Sequence, residues 1–270
     1  MKNTLKMAAL AAALSVSFSA QANIVIDLFD GSQGQYLDST ATAGDTSAVI
    51  ASCIGGGYVG ANVLGGERDL YTSLLSNGGN VFGSSKIGVG GGALQFSTDS
   101  QTSGRGQIQW DGADAGASTI NYTGLYTGTV GADITAGGTL TGFNLKTLFA
   151  DAGFKFTITA YTDATHWTSV TLTSLAHPVP GSSFISFNAF FLATGTYPDG
   201  LGGFVDVVNN GGLLYDLGAL VADINQQGGA VAVDLTLDAV TAVPEPSTLA
   251  LAGIGLLGAG VAARRRSKKA

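Results

Sequence analysis

Residues 154–161 alternate apolar and polar side chains with a period of two. Phe156 and Ile158 fall on one face of this stretch, and Thr157 and Thr159 fall on the other. Successive side chains point to opposite faces in a β-strand, whereas a helix repeats about every 3.6 residues. The pattern therefore predicts a strand with one buried face, so the chain must build a sheet with an apolar side to cover.

Other short apolar runs are separated by segments rich in glycine and aspartate. The predicted strands are 24–29, 48–54, 93–97, 107–110, 154–161, 167–175, 184–191, 204–208 and 231–238, with 215–224 ambiguous between strand and short helix. Residues 30–47 are predicted to be a long loop, and the glycine run 88–92 is predicted to be turns. Short strands joined by such turns predict an all-β fold, a single β-sandwich over residues 23–242 with a jelly-roll-like arrangement.

Acidic residues dominate this body. Between residues 23 and 242 there are eighteen acidic and five basic residues, and Glu67 is the only glutamate among them. Aspartate favours turns more than helices, in agreement with the strand prediction. An acidic body repels nucleic acid, so no nucleic-acid partner is expected.

Cys53 is the only cysteine, which excludes an internal disulfide, and its apolar neighbours indicate a small buried residue.

The amino-terminal end has the three parts of a secretory signal peptide. Lys2 and Lys6 make a positive start, and residues 7–18 form an apolar, alanine-rich run. Ala20 and Ala22 frame a small-x-small cleavage site. We therefore predict that residues 1–22 are a signal peptide and that the chain is exported.

The carboxyl-terminal end combines an extended motif, an apolar run and a basic cluster. The motif is Pro244, Glu245 and Pro246, in which the prolines fix φ and remove two backbone donors. Residues 248–263 carry no charge and are predicted to be a transmembrane helix about 24 Å long at ~1.5 Å per residue. This is shorter than the ~20 residues that usually cross a bilayer, and snorkelling of Arg264 with local bilayer thinning is expected to make up the difference before the basic end at 264–269.

This tail, on a chain with a secretory leader, resembles the PEP-CTERM sorting signal, which is also called an ice-binding protein C-terminal domain. The resemblance covers residues 243–270 only. The residues that match the family's pattern are Pro244, Glu245 and Pro246 for recognition and Arg264, Arg265 and Arg266 for stop transfer. The resemblance implies processing by an exosortase, a membrane-embedded cysteine transpeptidase. Exosortases occur in Gram-negative bacteria that make exopolysaccharide and biofilm. The implied route is a transient inner-membrane anchor, then the cell surface or extracellular matrix.

The body has no recognisable catalytic motif, and no enzyme activity is expected. His166 and His177 are the only histidines and have no partners at zinc-site spacing. No Gly-x-Ser-x-Gly elbow is present, and the glycine runs lack the Lys-Ser/Thr of a phosphate loop. Thr-x-Thr pairs recur at irregular steps, unlike a flat ice-binding array.

Calcium is the one ion that the sequence leaves open. Residues 111–114 and 198–200 place aspartates on glycine-containing loops, but neither matches an EF-hand loop. Ordinary Asp-Gly turns are the preferred interpretation, so neither a cofactor nor a metal site is predicted.

Three functions remain for the body. We favour a structural or adhesive role in the envelope or biofilm matrix. The first alternative is a carbohydrate-binding module for exopolysaccharide, in which Trp167 and tyrosines stack on sugars; Trp110 lies on a predicted core face. The second is a secreted hydrolase using Glu67 or a pair of aspartates. The neighbours Arg68 and Asp69 favour a salt-bridged strand edge instead.

Overall fold

The computed structural model describes residues 23–39, 49–51, 62–80, 82–114, 116, 119–174, 176, 178–199, 203–225 and 230–244. Its strands are β1 (Ile24–Asp27), β2 (Gln33–Ser39), β3 (Val49–Ala51), β4 (Asp69–Ser76), β5 (Ser84–Gly90), β6 (Ala93–Thr98), β7 (Ser103–Trp110), β8 (Gly142–Ala150), β9 (Phe154–Tyr161), β10 (Trp167–Ser174), β11 (Gly181–Ser186), β12 (Gly195–Pro198), β13 (Phe204–Asn210), β14 (Ala219–Ile224) and β15 (Asp234–Val243). Two short 3-10 helices span Leu64–Gly66 and Phe187–Phe191. Within these ranges there is no α-helix, and no helix could cross a membrane.

The strands form two antiparallel sheets. The seven-stranded sheet has the order β11-β8-β15-β6-β5-β2, and β1 also pairs with β15. The eight-stranded sheet has the order β12-β13-β10-β9-β14-β7-β4-β3. Because β7, β8 and β9 alternate between the sheets, the chain crosses repeatedly over one shared core. The prediction of an all-β, two-sheet body is confirmed, while the predicted signal peptide, Cys53 and the transmembrane helix lie outside the described residues.

The core follows the alternation seen in the sequence. Phe156 and Ile158 of β9 are buried together with Ile108 of β7 and Ala222 of β14, their neighbours in the sheet. Burying an apolar side chain of this size contributes roughly 1.5–3 kcal/mol. Trp110 is fully buried in the same core, so the preference for packing over sugar stacking at this position is confirmed.

A buried ion pair joins the two sheets. Arg68 and Asp27 have fully buried side chains, and Arg68 Nη1 lies 2.8 Å from Asp27 Oδ1. Burial raises the pKa of Asp27, and donors from Arg68, Trp110 Nε1 and the Phe29 amide oppose that shift. The interpretation of residues 67–69 as a salt-bridged strand edge is therefore right that Arg68 forms a salt bridge and wrong about its place, because Arg68 turns into the core.

Several secondary-structure predictions are also wrong. The predicted loop over 30–47 contains β2, an edge strand whose polar sequence lacks an apolar alternation. Gly88 and Gly90 lie in β5, and only the end of the glycine run is a turn. Strands β4, β8 and β12 were not predicted, although Phe143 and Leu145 of β8 are buried at alternate positions. The run 184–191 is divided between β11 and a 3-10 helix, and the ambiguous 215–224 contains β14.

Candidate functional site

The outer face of the eight-stranded sheet carries a row of polar and aromatic side chains. Tyr71, Gln107, Asp223, Thr157 and Thr171 stand in register on β4, β7, β14, β9 and β10. Each is one residue out of step with the apolar positions that face the core, so all five point away from it. The row crosses the centre of the sheet rather than its edge.

Hydrogen bonds connect the middle of this face into a network. Asp223 Oδ1 accepts bonds from Arg105 Nε (2.9 Å), Arg105 Nη2 (2.6 Å) and Gln107 Nε2 (2.9 Å). Gln109 Nε2 donates to Gln107 Oε1 at 2.7 Å. The Arg105 guanidinium also lies 5.7 Å from the centre of the Tyr71 ring. These contacts hold long side chains in one arrangement, so the polar surface is preorganised.

A loop after β7 folds back over this network and leaves an open cleft of about 450 Å³. We call it the sheet cleft; its lining residues are Tyr71, Arg105, Gln107, Gln109, Thr119, Ile120 and Tyr122. The loop closes where Gly112 meets Gly124, because a Cβ on either glycine would overlap the other's surroundings. Gly112 has a φ of +81°, a conformation that favours glycine. The cleft thus depends on Gly112 and Gly124, which the sequence alone does not distinguish as special among its forty-one glycines.

Aromatic rings continue from the cleft along the end of the sheet. The ring of Tyr122 lies 5.2 Å from that of Tyr161, and Tyr161 lies 6.5 Å from Trp167, centre to centre. All three rings are partly exposed. Burial raises the pKa of Tyr161 to about 12, so its phenol stays neutral and remains a hydrogen-bond donor. Trp167 therefore belongs to the surface next to the cleft, while Trp110 belongs to the core.

Acidic side chains gather at one end of the cleft. Asp69 pairs in register with Gln109, which lines the cleft. Oxygens of Asp69, Asp111 and Asp114 all lie within 4.8 Å of one another. Asp69 and Asp111 are buried, and Asp114 is exposed. Glu67 joins this group because its Oε2 accepts a hydrogen bond from the Asp114 amide at 3.1 Å.

Two of these acids belong to the 111–114 loop for which calcium was left open. Carboxylate oxygens are the ligands that Ca²⁺ takes, although it usually requires six to eight of them. The other loop, at 198–200, is different: Asp199 Oδ1 accepts a hydrogen bond from Gly203 N at 2.8 Å. Among the described residues Asp199 belongs to no group of three metal-binding side chains. The chemistry of the first loop permits a hard cation, and nothing further follows from it.

Asp111→Asn is expected to stabilise the protein at pH 7. Burial, with the nearby charges of Asp114 and Glu67, raises the pKa of Asp111 to about 6, above its ordinary 3.8. The folded state therefore binds an extra proton between about pH 4 and 6. This contribution to stability is present in acid and is lost as pH rises through 6. At ~1.4 kcal/mol per pH unit, the loss is about 2–3 kcal/mol.

The measurement is urea unfolding of wild type and Asp111→Asn at pH 5 and pH 7 with EDTA present. The amide oxygen of asparagine can still accept the bond from the Asn121 amide that Asp111 Oδ2 accepts at 2.7 Å. We expect the variant to gain on wild type at pH 7 and to lose about half of that advantage at pH 5, which lies midway between the unfolded pKa of 3.8 and the folded pKa of about 6. If the variant and wild type were equally stable at both pH values, the pKa of Asp111 would not be raised in the folded protein.

The remaining predicted residues lie elsewhere. His166 sits in an exposed turn, where its Nδ1 lies 2.8 Å from Asp163 Oδ2. Pro244 follows β15 directly and is partly buried. The predicted residues outside the described part of the chain are Ala20, Ala22, His177, Glu245, Pro246, Arg264, Arg265 and Arg266.

The fold and cleft define a β-sandwich body with a preorganised polar surface. At β15 this body joins a tail whose sequence is Pro-Glu-Pro, an uncharged apolar run and a basic end. Residues 242–266 of that tail match the PEP-CTERM protein-sorting motif. The chain therefore carries this motif, which implies export and exosortase-dependent, membrane-associated sorting to the cell surface. The match begins inside β15, so no linker separates the motif from the sheet.

The body has a structural neighbour among solved proteins. Among solved structures it is similar to a family 11 carbohydrate-binding module of Clostridium thermocellum, determined with a β-1,3-1,4-mixed-linked tetrasaccharide. The alignment has 11% identity and a TM-score of 0.34, and it covers 84% of this chain and 98% of that one. A TM-score this low supports no argument about the ligand. No protein with a curated description matches the sequence.

Proposed function

We propose that the chain is an adhesive protein of the Gram-negative cell surface or extracellular matrix, whose jelly-roll-like body binds a neutral polysaccharide in the sheet cleft. Exosortase sorting of the tail delivers the body to the place where such polymers accumulate. The observation that carries the proposal is the hydrogen-bonded network of Arg105, Gln107, Gln109 and Asp223 on the floor of an open cleft with tyrosines in its walls.

The chemistry of the cleft suits a sugar. Sugar hydroxyls both donate and accept hydrogen bonds. Amide and phenol groups offer both functions within one small area, and the guanidinium adds donors. The rings of Tyr71 and Tyr122 offer flat apolar surfaces for the C–H face of a pyranose. An open cleft, unlike a closed pocket, admits the middle of a long chain. Tyr161 and Trp167 extend this surface beyond the cleft itself.

Charge favours a neutral polymer over an acidic one. The positive charge of Arg105 is compensated by Asp223 at 2.6 Å. Glu67, Asp69 and Asp111 add negative charge at the end of the cleft, so an anionic polysaccharide is repelled. A hydrolase is the less favoured interpretation, because the sequence has no catalytic motif around Glu67, Asp69 and Asp111. We therefore keep the body as a binding module without enzyme activity.

Tyr71→Ala and Tyr122→Ala are expected to weaken binding of a neutral oligosaccharide at least tenfold each, because each removes one aromatic wall of the sheet cleft. The measurement is isothermal titration calorimetry of the full-length protein with neutral gluco- and galacto-oligosaccharides. A tenfold loss corresponds to about 1.4 kcal/mol. A detergent without a sugar headgroup keeps the apolar tail in solution.

Phe82→Ala is the matched control, since this ring is 86% exposed and lines none of the cleft. It should bind like wild type. Tighter binding of an acidic polysaccharide such as alginate would contradict the charge argument. Wild-type affinity in both tyrosine variants would remove the cleft as the binding site.

A further inference from the structure

A second cavity of about 400 Å³ lies away from the sheet cleft. We call it the loop cavity, and its lining residues come from the segment 133–141, from the 3-10 helix Phe187–Phe191 and from Tyr215. It shares no lining residue with the sheet cleft. A ligand there would make contacts independent of those at the first site.

The loop cavity combines exposed rings with polar groups. Phe191 and Tyr215 line it and are 51% and 52% exposed, although large aromatic rings are usually buried more deeply. Asn188 also lines the cavity and presents an exposed carboxamide. The hydroxyl oxygen of Thr141, another lining residue, is buried and has no hydrogen-bond partner within the described part of the chain. Buried hydroxyls are normally paired, so turning the Thr141 side chain into the cavity to bond a ligand would relieve this cost.

The polar wall of the cavity is held in place before any ligand binds. Asp133 Oδ1 accepts bonds from Thr135 N (2.8 Å) and Thr135 Oγ1 (2.6 Å), and Asp133 Oδ2 accepts one from Gly137 N (2.9 Å). Burial acts to raise the pKa of Asp133, but these hydrogen bonds lower it overall. The loop is thus pinned by an ionised carboxylate, and none of the described residues that line the cavity is basic.

We propose that the loop cavity is a second saccharide-binding site, selective for an uncharged sugar. The C–H face of one pyranose packs on Tyr215 and Phe191, while its hydroxyls bond to Asn188 and Thr141. Among the described residues that line the cavity the negative Asp133 is the only charged one, so an acidic sugar is repelled. The site itself stands on these observations alone. That the body holds two polysaccharide chains at once rests on the proposed function of the sheet cleft.

Two sites on one rigid body would cross-link polymer chains. A bivalent protein gains avidity for a repetitive polysaccharide without new contacts. It also links two polysaccharide chains, whereas a single site would only bind one of them. This is the physical basis expected of an adhesive matrix component. One site without the other would bind polysaccharide but leave the polymer solution fluid.

The test is calorimetry of the full-length protein with neutral gluco- and galacto-oligosaccharides, comparing wild type, Tyr215→Ala, Asn188→Ala, Tyr71→Ala and Phe82→Ala. We expect two sites in wild type and in Phe82→Ala. Tyr215→Ala should retain one site and weaken the other at least tenfold, and Asn188→Ala, which leaves the rings in place, should weaken the same site. Tyr71→Ala should retain the complementary site.

The outcomes separate the two proposals. One site that Tyr71→Ala removes and Tyr215→Ala leaves unchanged would overturn the loop cavity and leave the sheet cleft standing. One site that only Tyr215→Ala removes would support the loop cavity and overturn the sheet cleft. No binding by a folded wild type would overturn both. Circular dichroism of each variant establishes that it is folded, and a rise in viscosity of a neutral glucan with wild type alone would support cross-linking.

Discussion

Arg68→Met is expected to lower the free energy of unfolding by about 3–5 kcal/mol, because it leaves the fully buried carboxylate of Asp27 without its ion-pair partner. The loss also removes the bonds from Arg68 Nη2 to the Gly31 carbonyl (2.8 Å) and from Arg68 Nε to Gln33 Oε1 (2.9 Å). A typical domain is stable by only about 5–15 kcal/mol, so the variant should be close to unfolding at 37 °C. Urea unfolding, monitored by tryptophan fluorescence, measures the free energy of unfolding of the variant and of wild type.

Lys86→Met supplies the comparison, since Lys86 and Asp99 form a partly exposed pair at 3.3 Å. It should cost less than about 1 kcal/mol. The double variant Asp27→Asn with Arg68→Met should recover more than half of the loss, because asparagine carries no charge and can still accept the Trp110 bond. Equal losses for Arg68→Met and Lys86→Met would contradict the importance of burial.

Gly124→Ala is expected to destabilise the protein by about 2–4 kcal/mol and to abolish measurable oligosaccharide binding at the sheet cleft. The new Cβ would overlap the carbonyl oxygen of Asp111, and a backbone atom cannot move aside as a side chain can. The loop must therefore lift from β7 and carry Thr119 and Tyr122 away from the cleft. Urea unfolding and calorimetry measure the two effects.

Gly90→Ala is the control, because a Cβ at that position of β5 meets no atom within 4 Å. It should change neither stability nor binding appreciably. Weak binding at the sheet cleft combined with intact binding at the loop cavity would agree with a local change at Gly124. Full binding at both sites in Gly124→Ala would show that the closed loop is not needed for the cleft.

Part of the candidate site could be predicted from the sequence. The alternation in β7 correctly separated Ile108 and Trp110 from Gln107 and Gln109, so the polar face of that strand was known before its neighbours were. What could not be predicted is that Asp223, more than a hundred positions away, completes the network. No local pattern distinguishes this aspartate from the other acids, because its role depends on β14 pairing with β7.

The glycines and acids illustrate the same division. Gly112 and Gly124 look like ordinary turn residues, and only the crossing of two backbone segments makes them necessary. Asp111 and Asp114 were recognised as a loop pair, whereas Asp69 joins them because β4 lies beside β7. The ring of Tyr215 likewise becomes part of a cavity only when the loop at 133–141 packs against it.

The sequence by itself determined what local rules govern: the two-sided strands, the acidic surface and a sorting motif read as a contiguous string from 242 to 266. Only the tertiary structure decided which outward-facing residues meet, that Arg68 turns inward to Asp27, and where cavities open. The physical reason is that period-two alternation fixes the face of each side chain but not the neighbouring strand. Contacts between strands distant in sequence arise from the shared burial of their other faces in one core.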